Sequence, residues 1–178
     1  MSEFFEAHCR YQGYRDAAYH RTWELWKKAV GPDLRIMPIN ENALSFWRIV
    51  WQSFPSAEDG GFNWEEAHGR LWNRPNRYEV AVWSGPVLCG LALGHTSPEK
   101  QDVCINLLER LSVPGNPLIG YIAPIVFTAA SFYGNILKSQ RLKIKNPVDG
   151  ALPYYEKLGF SLAERVDGST YYAKEIEK

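Results

Sequence analysis

The sequence predicts one domain of mixed α/β (α+β) class, and three observations carry that prediction. The 178 residues are 46% hydrophobic and 22% charged, enough apolar material for a core of ordinary size. Helix-period and strand-period segments both occur, in the order helix, strand, two helices, three strands, helix, strand, helix, strand. No internal repeat, low-complexity tract or linker divides the chain, so residues 1–178 count as one domain, with a helical extension over 1–33 and a core over 34–178.

Residues 3–30 hold no proline and one glycine, and Phe5, Cys9, Tyr19, Trp23, Trp26 and Val30 recur at spacings near three and four. That period predicts a helix, with Gly13 as its one candidate break and Gly31-Pro32 as its stop. Leu34 to Ile39 alternates with period two, as a short half-buried strand should, and Asn40 or Asn42 can cap the helix that follows. From Ala43 to Phe54 the large apolar residues fall on one broad helical face. Pro55 to Gly61 is a loop, and Asn63 can cap a second helix, Trp64 to Trp72, ended by Asn73-Arg74-Pro75. The period changes at Arg77. Tyr78–Trp83 and Val87–His95, joined by Ser84-Gly85-Pro86, read as an antiparallel hairpin. Val103 to Val113 is a third strand, rich in Ile, Leu and Val, and Pro114-Gly115-Asn116-Pro117 is a turn by composition. An apolar helix runs from about Pro124 to Lys138, with Pro124 suited to a first turn. Leu142–Lys145 is another strand, Ala151–Leu158 a short helix closed by Gly159, and Tyr171–Ile176 the last strand.

Composition excludes several classes of function. Twenty Lys+Arg balance 20 Asp+Glu, so net charge supplies no field to hold nucleic acid or an anionic membrane, and nucleic acid is a disfavoured partner. The apolar runs are far shorter than a bilayer span, and Glu3 and Glu6 stand where a signal peptide carries cations. The expectation is a soluble cytoplasmic protein with no membrane partner. Cys9, Cys89 and Cys104 are odd in number and scattered, and His8, His20, His68 and His95 show no metal spacing, so neither disulfides nor a metal are expected. Six of the seven tryptophans precede residue 73, a bias toward a specialised N-terminal half.

Three segments resemble the GCN5-related N-acetyltransferase (GNAT) superfamily over about Leu34 to Ile176. Ala151-Leu152-Pro153-Tyr154-Tyr155-Glu156-Lys157-Leu158-Gly159-Phe160 is similar to the family's A-x-x-x-Y-E-K-x-G-F helix. There a small residue permits close approach, a tyrosine faces the cofactor sulfur, and glycine ends the helix before phenylalanine anchors the last strands. Asn146-Pro147 is similar to the family's strand-end asparagine. Leu108-Glu109-Arg110-Leu111-Ser112-Val113-Pro114 resembles the fourth strand, whose backbone pairs with the pantetheine arm and whose glutamate often serves as base. Glu109 as a salt-bridged edge residue is the other reading of that position. The third segment departs from type. Where the family has R/Q-x-x-G-x-G/A to hold a pyrophosphate, Pro117-Leu118-Ile119-Gly120-Tyr121-Ile122 keeps only the central glycine, although Gly115, Gly120 and Ala123 leave room for a rearranged loop.

The resemblance implies a mixed, mostly antiparallel central sheet flanked by helices, with the N-terminal helix as an addition to an acyltransferase core. It implies acetyl-CoA as co-substrate, no metal, and transfer of an acetyl group to a primary amine: a small molecule, a peptide or an aminated nucleobase. Tyr155 and Glu109 are then the catalytic candidates, and Leu111, Val113, Gly120, Tyr121 and Asn146 the cofactor-binding ones. Such a reaction needs a neutral amine, donors for the carbonyl oxygen, and a proton for the departing thiolate. Tyr155, with an ordinary pKa near ~10, suits the last task; Tyr154 sits about 100° around the helix, so only one of the two can face a given atom. Trp47, Trp51 and Trp64, near Glu58, Asp59, Glu65 and Glu66, offer flat apolar surface and negative charge for a cationic acceptor, or simply pack the core. Lys138, Arg141, Lys143 and Lys145 suit a phosphate or form a solvated strand face. Loss of catalysis, leaving a GNAT-shaped binding or inhibitory protein, is the alternative reading, and the N-terminal helix is a candidate for pairing two copies as a homodimer.

Overall fold

Ser2 starts the first helix by accepting the Phe5 N–H on its hydroxyl, and Glu3, Glu6, Lys27 and Lys28 match the helix dipole at the two ends. The structure is a computed structural model that describes residues 2–178. Helix α1 (Glu3–Val30) runs unbroken for 28 residues through Gly13 and ends where Gly31 takes φ +100°. Asn40, not Asn42, caps α2 (Glu41–Ile49) through the Ala43 N–H. This helix is shorter than its apolar face predicts, because the chain tightens into a 3-10 turn, Trp51–Ser53, that carries the Trp51 indole into the core. Asn63 caps α3 (Trp64–Leu71) through the Glu66 N–H.

Seven strands form one sheet: β1 (Leu34–Met37), β2 (Arg77–Ser84), β3 (Val87–Thr96), β4 (Asp102–Arg110), β5 (Arg141–Lys145), β6 (Ser161–Val166) and β7 (Ser169–Glu175), in the spatial order β1-β2-β3-β4-β5-β7-β6. Every pairing is antiparallel except β4 with β5. The β6 strand has no counterpart in the sequence reading. It forms the sheet's edge, with Leu162 and Val166 45% and 46% exposed, so no alternation of buried and polar residues marks it. The third strand also ends three residues early, at Arg110, since Leu111 opens a turn. Helix α4 (Ile122–Leu137) starts before Pro124, which occupies its first turn as expected. Helix α5 (Leu152–Lys157) follows a 3-10 turn, Asp149–Ala151.

Two apolar layers enclose the sheet. Tyr78, Val80, Val82, Val103, Ile105, Leu142 and Ile144 face α1 and α4, whereas Ala81, Trp83, Leu91, Leu93 and Leu111 face α2 and α3. Charged groups tie the helices in place. Arg15 of α1 donates to the carbonyls of Pro75 and Arg77, and Glu79 of β2 bonds His68 of α3 at 2.9 Å while pairing with Arg77 at 3.2 Å. Burial raises the Glu79 carboxyl, but the His68 hydrogen bond and the Arg77 charge outweigh it and hold the group ionised, below its ordinary value.

One irregularity matters most for the site. The β3–β4 register passes from Leu93↔Leu107 to Gly94↔Ile105, so Asn106 is a bulged residue with no partner across the ladder. Gly94 allows it: a Cβ there would lie 1.9 Å from the Cys104 carbonyl oxygen. Gly13, by contrast, has nothing within 4 Å of an added Cβ. Gly13→Ala should therefore raise stability by about 0.5–1 kcal/mol, and Gly94→Ala should lower it by at least about 1–3 kcal/mol. Urea unfolding of the two variants checks both signs.

Candidate active site

The parallel pairing of β4 with β5 stops early. It runs from Asp102↔Arg141 to Ile105↔Ile144, after which β4 continues to Arg110 with no partner on that edge. Two features part the strands. The Asn106 bulge bends β4, and on β5 the chain turns away at Asn146, which takes φ +48°, followed by Pro147. The Leu111 N–H donates to the Cys89 carbonyl on β3 at 2.9 Å. Strand alternation then turns the N–H and C=O of Leu108 and Arg110 toward the gap.

Two cavities occupy the gap. The larger, about 550 Å³, lies on the α2/α3 face between Ile105–Leu108 and Ile144–Val148. The smaller, about 380 Å³, lies against Gly120, Ile122 and Ala123 at the start of α4 and against Ala151 and Tyr154. Asp59, Leu108 and Tyr155 border both.

Tyr155 is 9% exposed, with its ring edge-on to Phe127 and Phe160. Burial, then the nearby Asp59 carboxylate and Tyr154, push its phenol up to about 12. It stays protonated across the physiological range. Tyr154 borders only the smaller cavity, as the turn of the helix requires.

Glu109 is 7% exposed and faces α3. Its carboxylate accepts the Gly61 N–H at 2.9 Å and the Trp64 indole N–H at 3.1 Å. Burial raises its pKa despite these donors. A Cβ on Gly60 would stand 2.9 Å from the Glu109 carboxyl carbon, so the loop closes on this side chain only because residue 60 is glycine. Glu109 thereby fixes the loop that holds Asp59 at the junction of the cavities. The edge salt bridge allowed by the sequence does not form; Glu109 has no ion-pair partner among the described residues.

Several sequence-predicted positions fall elsewhere. Trp47, Trp51 and Trp64 are buried rings, as their packing reading expects: Trp51 donates to the Leu88 carbonyl, Trp64 to Glu109, and Trp47 packs in the layer under α2, while Trp47 and Trp51 also line a small cavity of about 60 Å³ beside Glu109. Leu111 and Val113 lie beyond the strand and border neither cavity, and the Leu111 amide is already spent on β3. Tyr121 sits before α4 but turns its ring to Trp26 of α1. Asn146 borders the larger cavity, yet its side-chain oxygen accepts the Thr170 N–H at 2.8 Å and joins β5 to β7. Gly120 does border the smaller cavity and takes φ +83°. Arg141 and Lys143 pair with Asp102, and Lys143 also with Glu164, so the basic cluster is largely neutralised. Lys143 and Lys145 stand on the α2/α3 face, away from the smaller cavity.

Sequence reasoning passed over Asn106, took Asn116 only as part of a turn and Leu108 only as part of a strand, and grouped Asp59 with neighbours that do other work. Glu65 pairs with Arg48, and Glu66 with Arg70. Asn116 is buried and organises the loop before α4: its Nδ2 donates to the carbonyls of Cys89 and Leu111, and its Oδ1 accepts the Leu118 N–H. The resulting turn delivers Gly120, Ile122 and Ala123 to the cavity at an α4 N-terminus with no side-chain cap and no acidic residue in its first turn. Among the described residues no group of three or more His, Cys, Asp and Glu is placed to hold a metal, and no helix is long and apolar enough to cross a membrane.

No protein-family model and no curated protein matches this sequence. Solved structures do. An acetyltransferase from Thermus thermophilus is 17% identical with a TM-score of 0.59, covering 80% of this chain and 96% of that one. Aminoglycoside 6'-acetyltransferase type Ii is 16% identical with a TM-score of 0.59, covering 80% and 97%. A Desulfovibrio desulfuricans protein described as a GNAT-family acetyltransferase is 12% identical with a TM-score of 0.60, covering 81% and 99%. At these identities the likeness is one of fold. This chain has the fold of the GNAT acetyltransferases.

The raised pKa of Glu109 has a measurable sign. Below the unfolded value of about 4.3 the group is neutral in both states; above it the folded protein resists ionising, so this residue's contribution to stability falls as pH rises through its folded pKa. Glu109→Gln removes that fall. The stability difference, variant minus wild type, should therefore move in the variant's favour between about pH 4 and pH 7, as read by urea unfolding at several pH values.

Proposed function

We propose that this chain is an N-acetyltransferase that moves an acetyl group from acetyl-CoA to a primary amine. The observation that carries the reading is Tyr155 at the wall common to two cavities in the β4–β5 gap, one opening toward the α4 N-terminus and one toward α2 and α3. The residues present suit the co-substrate. Free N–H groups at the uncapped start of α4 would hold its phosphates, and the unpaired edge of β4 would pair with its amide-bearing arm. Fold neighbours support the same chemistry, among them a spermidine/spermine N-acetyltransferase from Vibrio cholerae and the aminoglycoside enzyme.

The thioester supplies the activated acetyl group. The chain's own groups do the rest. Asp59 draws an ammonium to the junction, and the nearby Glu109 carboxylate, raised toward the working pH by burial, takes its proton through water. Backbone N–H groups of Leu108 and Arg110 face the gap, where they polarise the carbonyl. Tyr155, protonated with a pKa of about 12, gives its proton to the leaving sulfur.

Acetyl-CoA at 100 times its dissociation constant should add about 2.7 kcal/mol to stability; no thermal shift at any concentration refutes the reading and leaves a GNAT-shaped binding protein. Tyr155→Phe should cut turnover by about 10–10⁴-fold while the thermal shift with acetyl-CoA persists. Glu109→Gln should flatten the acidic limb of kcat/KM against pH. Should that limb survive, Glu109 is left with the loop-holding role alone.

A further inference from the structure

The larger cavity is electrically divided along its length. At the end it shares with the smaller cavity stand Asp59 and, beside it, Glu58. At the other end β4 and β5 are still paired at Ile105–Ile144, and there Lys145 enters from β5 and Asn106 from the bulge. The two other cations nearby are already matched, Arg70 by Glu66 and Lys143 by Asp102 and Glu164. Lys145 forms no ion pair among the described residues, although Asp102 and Glu164 lie on neighbouring strands. Asn106 accepts from His95 Nδ1 on its Oδ1 at 2.9 Å, which leaves its Nδ2 hydrogens for an acceptor in the cavity. The wall between the two ends is apolar, made by Phe62, Leu93 and Leu107 among others.

From this arrangement we infer that the acceptor is an amino carboxylate, with its amine at Asp59 and its carboxylate at Lys145 and Asn106. The inference rests on the transferase reading for the amine's fate, but the recognition stands on the cavity alone. Two strand residues separate the levels of Asn106 and Leu108, about 7 Å at ~3.3 Å each. The two charges of the acceptor are therefore several methylenes apart, farther than the single carbon of an α-amino acid allows. A polycation fits this cavity poorly, since its second positive charge would meet Lys145.

The test is binding, read apart from turnover. Isothermal titration of the full chain with 6-acetamidohexanoate and with its neutral amide, 6-acetamidohexanamide, should show the carboxylate binding about tenfold more tightly, the worth of a hydrogen bond to a charged group. That preference should shrink in high salt. Lys145→Gln should bring the ratio to about one, and Lys145→Arg should keep most of it. Equal binding of the two compounds, no binding of either at millimolar concentration, or a ratio that survives Lys145→Gln overturns the inference. Selective binding without acetyl transfer from acetyl-CoA to 6-aminohexanoate instead leaves it intact and removes the transferase reading.

Discussion

Everything distinctive in this molecule depends on two neighbouring parallel strands that start paired and then separate. A sheet gains by keeping its ladder, so the parting of β4 from β5 has to be enforced from both sides. On β4 the bulge at Asn106 does so, and it exists only because Gly94 lets the Cys104 carbonyl approach. On β5 the left-handed Asn146 and Pro147 leave the sheet plane, with Asn146 anchored to β7 by its own side chain. The gap then exposes backbone on one strand and seats Tyr155 from α5, so an open strand edge and the meeting point of two cavities coincide.

The loop before α4 is held in shape by a single buried side chain. Pro117 removes a donor, and bulky Ile122 opens the helix. Asn116 compensates from within, holding two carbonyls and one N–H of the turn so that Gly120 and the first residues of α4 still face the cavity. Gly90 supports the same end of the helix, because any side chain there would collide with Ile122. The turn is built around one buried amide instead of a run of glycines.

How far the sequence reached can be judged from particular residues. The helix and strand order was legible wherever one face is buried, and the Ala151–Phe160 run marked the helix end from which Tyr155 borders the gap. Strand β6 was illegible, since an exposed edge imposes no pattern. The tryptophans stayed ambiguous for a related reason: composition says that rings are present, but whether a ring lines a cavity or packs a core depends on which way its helix turns, and Trp51 and Trp64 turn inward to satisfy their indole N–H groups. Asp59 carried no local signal because its place depends on Glu109, 50 residues later, closing the loop from below.

Helix α1 makes its defining bonds with partners far along the chain, Arg15 with Arg77 and Trp26 with Thr128. During synthesis those bonds must wait for β2 and α4, although β1, on which α1 also packs, follows it directly. Such late rewards slow folding and lengthen the time in which an unsatisfied helix can find the wrong companion.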